Sequence, residues 1–298
     1  MNDSHSSQPR LSPIPPAKQH ALVSPIPKPA LICRRAKRWS REPDDMEWAR
    51  AERGRIEAEI SSIKLPCDGT ALQIREAHPD DFPRVSALYD RCFAGSSPAG
   101  GYQIMWALRC GRGEVIETGE GELVAAHLET PAADRDNSSY SIGACVDARA
   151  NGFRLSGVLA RYTGLRAYMD GARVRRGVIA AANLGSCRVV LHEVGANFVR
   201  FHESFADFRT PRFEYALELS RAGLGSQRVD GSELATWLDS KPAGVQLVPL
   251  DDYRQLAPLL EHQGHHVVAM CQERAAWVLV RRVPGFHVLG HSRPYLRT

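Results

Sequence analysis

The stretch VDARANGFRLSGVLARY, residues 146–162, places Arg149, Asn151, Gly152 and Arg154 at a join between two elements. Alternating SYSIGACV precedes it, and a helical stripe (Leu155, Val158, Leu159, Tyr162, Leu165, Met169) follows. A strand that feeds a helix through a short loop leaves backbone N–H groups unpaired at the helix start. Those groups and the helix dipole attract an anion such as a pyrophosphate. Gly152 permits close approach of the backbone, Asn-Gly is a favoured turn pair, and the two arginines add charge. The same residues also make an ordinary tight turn, so the residues alone leave both readings open.

Other polar groupings carry less. His262, His265 and His266 sit at the end of a helical segment and lack a carboxylate at ligand spacing, so capping is expected there and no metal. The seven cysteines are scattered, with no CxxC pair, and read as buried small hydrophobes in a reducing compartment. GLGS at 223–226 has no helix start after it and reads as a linker, and Trp277 reads as core.

The join needs elements around it. Residues 43–65 show a helical period through Ala49, Arg53, Ile56, Ile60 and Ile63, with acids in the first turn. ALQIREA alternates as a strand, HPDD supplies a helix start, and Phe82, Val85, Leu88, Tyr89 and Cys92 continue at helical spacing. Tyr102–Arg109 predicts a short helix, GEVIET and GELVAAHLE a hairpin, and SYSIGACV the next strand. After the helical stripe, closed by Gly171, VRRGVIAAAN predicts a buried strand and Ser186–Val194 a last helix. NFVRFHESF and PRFEYALELS predict a closing hairpin. Residues 222–298 contain strand, helix and hairpin signals too few for a core of their own, so this small αβ extension is expected to dock on the preceding domain.

Composition bounds the rest. The chain has 298 residues and 43% hydrophobic content, enough for a sizeable core. No apolar run approaches the roughly 18 residues of a membrane span, so a soluble, cytoplasmic protein is expected. Residues 1–41 hold eight Lys/Arg against Asp3 alone, a charge of +7, which leaves −3 on the remainder of a chain at net +4. The basic character belongs to a Ser/Pro-rich arm, residues 1–42, in which LSPIPP is echoed by VSPIPKP and which is expected to be disordered. Neither nucleic acid nor membrane is therefore expected as a partner.

The element order over residues 70–221, with the residues at the join, resembles the GNAT superfamily of acyl-CoA-dependent N-acyltransferases. That family carries an Arg/Gln-x-x-Gly-x-Gly/Ala loop after its fourth strand. Here Arg149-Ala150-Asn151-Gly152-Phe153-Arg154 matches at the first two landmarks, and the last small residue has become Arg. Asn183, Ser186 and Gly195 fall where the family has an Asn after its fifth strand, a small residue, and a helix-closing Gly. The resemblance implies an α/β (α+β) fold with a mixed, mostly antiparallel sheet flanked by helices.

It also implies chemistry. The loop 149–154 would hold the pyrophosphate of acetyl-CoA, Ile142, Gly143 and Ala144 would pair with the pantetheine arm, and Asn183 would bond the arm from the other side. Acetyl transfer to a primary amine follows, with His127 the first candidate for general base because an ordinary imidazole titrates near working pH. Glu129, Tyr140 and Asp147 are further polar candidates. The family's acidic Tyr on the last helix is missing, which leaves Ser186, Cys187, His192 or water to protonate the thiolate. The acceptor, a small molecule or a protein amine, is not fixed by the sequence, and the extension covers the acceptor side or forms a homodimer contact. Two rivals stand beside this reading: a catalytically degenerate binding or regulatory protein, and a longer-chain acyltransferase.

Overall fold

The computed structural model describes residues 42–65, 69–93, 99–131, 137–205, 210–224, 231–241 and 243–281. The expected basic arm, apart from Glu42, and half of the GLGS linker lie outside the described residues.

Helix α1 (Pro43–Ser62) starts at a proline, carries Asp44 and Asp45 in its first turn, and buries Ala49, Ile56 and Ile60. Strand β1 (Leu72–Glu76) follows. Helix α2 (Phe82–Phe93) is entered through a turn where His78 N–H donates to the Asp81 carboxylate at 2.8 Å. Then come α3 (Gly101–Arg109), β2 (Gly113–Thr118), β3 (Leu123–Pro131), β4 (Ser138–Val146), α4 (Leu155–Met169) and β5 (Val174–Ala180). Helix α5 (Leu184–Arg188), β6 (Asn197–His202), β7 (Arg212–Glu218), α6 (Arg221–Leu224) and α7 (Gly231–Asp239) lead to β8 (Val245–Pro249), α8 (Leu256–Glu261), β9 (His265–Cys271) and β10 (Ala276–Arg281).

The strands form one ten-stranded sheet in the order β1-β2-β3-β4-β5-β7-β6-β9-β10-β8. Every pairing is antiparallel except β4 with β5. The fold is thus the mixed, mostly antiparallel α/β sheet flanked by helices that the sequence implies. One face packs under α4 and α1 through Ile116, Leu155, Leu159, Leu165 and Phe198; the other packs under α2 and α3 through Val85, Leu88, Ile104, Leu108 and Leu128.

Three features differ from expectation. The C-terminal strands extend the sheet itself: β9 meets β6 at Phe198 and Val267, and the Trp277 ring packs edge-on against Phe213 at 5.4 Å. Helix α7 is an addition, visible in hindsight as Leu234 and Leu238 one turn apart, both buried. Helix α4 is buried on nearly every face, because α1 lies across its outer side. There Arg161 pairs with Glu52 at 2.7 Å, Tyr162 donates to Glu57 at 2.5 Å, and Trp48 meets Tyr168 edge-on at 5.9 Å. Small and β-branched residues (Gly157, Ala160, Thr163, Gly164) fill the faces that an apolar stripe alone leaves uncounted.

Candidate active site

Strands β4 and β5 are paired only between Ser138–Ser141 and Val174–Gly177. Beyond Ser141, β4 stays with β3 while β5 stays with β7, so the two parallel strands part. The cause is local. Leu128 faces Gly143 and Glu129 faces Ser141, which leaves Ile142 as an extra residue in β4. Such a bulge bends its strand. Gly143 takes φ +147°, and the buried Tyr89 hydroxyl donates to its carbonyl at 2.7 Å.

The parting opens a cavity of about 240 Å³. Ile142, Gly143 and Ala144 form one wall and Val178, Ile179 and Ala180 the other. Ser156 and Ala160 of α4, Asn183 just before α5 and Ser186 within it also line the cavity, while His127, Ser141, Arg175 and Tyr215 line its polar part and Phe93 and Arg212 also reach it. Among the described residues no Asp, Glu or Lys lines this cleft.

Six sequence candidates therefore meet here: His127, Ile142, Gly143, Ala144, Asn183 and Ser186. Loop 149–154 stands beside the cleft, outside its lining. Asp147 accepts from Arg149 N–H at 3.1 Å to start a single 3-10 turn, and Gly152 (φ +93°) and Arg154 (φ +56°) then carry the chain into α4. Ala150 is buried and Phe153 packs against the core. The two arginines expected to offer charge are both engaged by carboxylates. Arg149 binds Glu122 at 2.8 and 3.0 Å and Asp147 at 3.1 Å; Arg154 Nε lies 3.6 Å from Glu193. Glu193 approaches so closely that a Cβ added at Gly157, in the first turn of α4, would stand 3.0 Å from its Cβ.

Asn183 caps α5 by accepting from Ser186 N–H at 3.0 Å. The predicted last helix is only five residues of α-helix, continued by a π-helical turn over Val189–Val194 that Gly195 closes at φ +79°. Of the sequence's substitutes for the missing Tyr, Ser186 alone lines the cleft. Cys187 is buried in the core with its thiol pushed up to about 12 by burial, and His192 accepts from Met270 N–H at 2.9 Å, tethering β9.

His127 lies in the cleft wall, but its selection as base rested on an ordinary imidazole. Burial, then the charge of Arg175, push it down to about 3. Its Nε2 lies 2.7 Å from Ser141 Oγ. At working pH it is neutral, a weak base and a good positioning group for Ser141. Glu129 is fully buried, paired with the equally buried Arg175 and accepting from Ser139. Arg175 also donates to the Ala160 carbonyl of α4. Tyr140 is pushed up to about 12 by burial, and Asp147 is bound to Arg149. His265 is a buried strand residue and not a helix cap, and no group of three or more potential metal ligands occurs among the described residues.

Sequence reasoning missed Tyr215. Its hydroxyl crosses Gly177, 2.5 Å from where a Cβ there would lie, and burial pushes its pKa up. Gly177 pairs with both Ser141 and Tyr215, so the one glycine in β5 marks where an aromatic side chain enters the cleft.

No family model and no curated protein matches the sequence. Solved structures resemble about half of the chain. An N-acetyltransferase from Staphylococcus aureus Mu50 is 15% identical over 51% of this chain and 100% of its own, with a TM-score of 0.43. Diaminobutyrate acetyltransferase from Paenibacillus lautus, in complex with its substrate and coenzyme A, is 19% identical over 54% and 100%, at 0.41. The ribosomal-protein-S18-alanine N-acetyltransferase from Escherichia coli is 16% identical over 51% and 96%, at 0.38.

Proposed function

We propose that this chain is an acyl-CoA-dependent N-acyltransferase that moves an acetyl group to a primary amine. The observation that carries the reading is the parting of β4 and β5 past Ser141 and Gly177. It leaves one edge of residues 142–146 without a strand partner, the edge with which an extended amide-bearing arm can pair. The cleft at that edge runs to the first turns of α4, the helix whose start the sequence matches to a pyrophosphate loop.

The thioester substrate brings an activated acyl group; the residues bind and orient it. The N–H groups of the bulge at Ile142–Ala144 are the nearest donors for a developing oxyanion. The amine nitrogen bonds to the acyl carbon, the carbon–sulfur bond breaks, and the thiolate leaves while the amine proton passes to water. Neutral His127 holds Ser141, and the hydroxyls of Tyr215 and Ser186 are the cleft's proton donors for the departing sulfur. A thiolate with pKa near 8.5 departs with modest help. The cavity is smaller than the roughly 300–1,000 Å³ usual for ligand pockets, which favours a short acyl group over a long one.

One observation supports the catalytically degenerate rival: Glu193 already sits against the α4 start that a diphosphate would need. Thermal shift with acetyl-CoA, CoA and longer acyl-CoAs separates the readings, since a ligand at 100 times its Kd adds roughly 2.7 kcal/mol. Acetyl-CoA binding with acetylation of an amine supports the transferase. Binding without turnover over a broad amine panel leaves the rival as a sensor, and no shift with any of them supports its form as an interaction protein.

A further inference from the structure

Folding brings together two of the scattered cysteines, Cys92 near the end of α2 and Cys145 in β4. Both thiols are free; Cys145 is buried and Cys92 only partly so. Cys92 Sγ donates to the Val146 carbonyl at 3.3 Å, and the Cys145 thiol donates in turn to Cys92. That second bond holds the Cys92 thiol below its ordinary value, while burial pushes Cys145 up. A partly exposed sulfur with thiolate character beside a second thiol is the arrangement in which oxidation runs on to a disulfide. The same helix end is tied to β4 and its exit twice more: Tyr89 donates to the Gly143 carbonyl at 2.7 Å, and Arg91 lies 3.3 Å from Asp147. Phe93, the next residue after Cys92, ends the helix and reaches the cleft.

We propose that Cys92 and Cys145 form a peroxide-oxidised dithiol whose disulfide draws the end of α2 onto β4 and narrows the cleft. Cys92 sulfur attacks one oxygen of the peroxide, the O–O bond breaks, and the other oxygen leaves as water once it takes up the thiol proton. Cys92 is then a sulfenic acid. Cys145 sulfur attacks that sulfur, the S–O bond breaks, and the hydroxyl leaves as a second water with the Cys145 proton. Two thiols are oxidised to one S–S bond, and one peroxide is reduced to two waters. A covalent S–S bond of about 2 Å is shorter than any hydrogen-bonded contact between thiols. Strand β4 is laddered to β3 on both sides of Cys145, at Ala144 and Val146, whereas α2 stops one residue after Cys92. The helix end is therefore the part that yields, and it carries Phe93 further into the cleft.

The test treats the full chain with hydrogen peroxide and then with dithiothreitol. Intact mass is expected to fall by two hydrogens, digestion to yield a Cys92–Cys145 cross-linked peptide, and dithiothreitol to reverse both. Cys92→Ser keeps a donor for the Val146 carbonyl and is expected to form no such cross-link. Calorimetry is expected to give acetyl-CoA a Kd roughly threefold or more higher in the oxidised chain, with no change in peroxide-treated Cys92→Ser. Absence of the cross-link, a cross-link through other cysteines in its place, or a Kd unaltered by oxidation overturns the inference. The effect on acetyl-CoA rests on the acyltransferase reading. If the reduced chain does not bind acetyl-CoA, that reading fails by itself, and hydrogen exchange judges the disulfide instead. Slower exchange in residues 88–93 and 142–146 of the oxidised chain then supports the staple, and unchanged exchange overturns it.

Discussion

Glu114→Gln tests the buried polar layer beneath the cleft. Glu114 is fully buried on β2, opposite His127 of β3. Burial, with the charge of Glu129, raises its carboxyl from 4.5 to about 7, and Arg53 and Arg166 do not reverse this. The folded chain therefore holds that proton more tightly than the unfolded chain. Its contribution to stability is complete below the unfolded pKa and is lost as pH rises through the folded one. Each tenfold in proton affinity is about 1.4 kcal/mol, so the full difference is about 3 kcal/mol, of which about 2.5 is lost between pH 5 and 8. Glutamine has nearly the same shape and cannot ionise. The melting temperature of the variant minus that of the parent should grow by about 5–10 °C from pH 5 to pH 8, at about 2–4 °C per kcal/mol. Any fixed cost of the amide cancels in that comparison. So does His127, whose depressed pKa acts in the opposite sense, with stability complete above 6.5 and lost as pH falls toward 3. Differential scanning calorimetry at the two pH values gives the answer. A difference that stays constant with pH would show that Glu114 is ionised in the fold and the reasoning wrong.

Three further outcomes are expected. Glu193→Gln should tighten acetyl-CoA about tenfold in calorimetry, about 1.4 kcal/mol, by removing the carboxylate that faces the α4 start; an unchanged Kd would place the phosphates elsewhere. His127→Gln should leave the shape of the pH–rate profile between pH 5 and 8 unaltered, because the imidazole is already neutral there; loss of a limb near pH 6.5 would restore it as a base. Gly177→Ala should cost about 1–3 kcal/mol of stability and displace the Tyr215 hydroxyl; a variant with unchanged melting and turnover would mean the ring moves aside freely.

The fold was legible wherever period and punctuation agreed. Alternation in LQIRE and SYSIGACV, the acidic start of α1, and Gly171 after α4 each report a local preference that the packed structure keeps. The α7 turn was hidden because two buried leucines in nine residues are a weak periodic signal. The place of β9 beside β6 depends on an edge pairing that no local pattern specifies. Within the site, Ile142–Ala144, Asn183 and Ser186 were legible as positions, because strand and helix order dictates where they fall. Their surroundings were not.

By itself the sequence determined the order of most elements and the strand–Gly–helix join at Arg149–Leu155. Only the tertiary structure decided which charges remain available. Burial between β2, β3 and α4 neutralises His127 and raises the Glu114 carboxyl to about 7, Glu122 and Glu193 claim the two loop arginines, and Tyr215 enters the cleft from a strand far along the chain. Protonation and pairing depend on the low dielectric and the neighbours that folding brings together, and neither is written in local spacing.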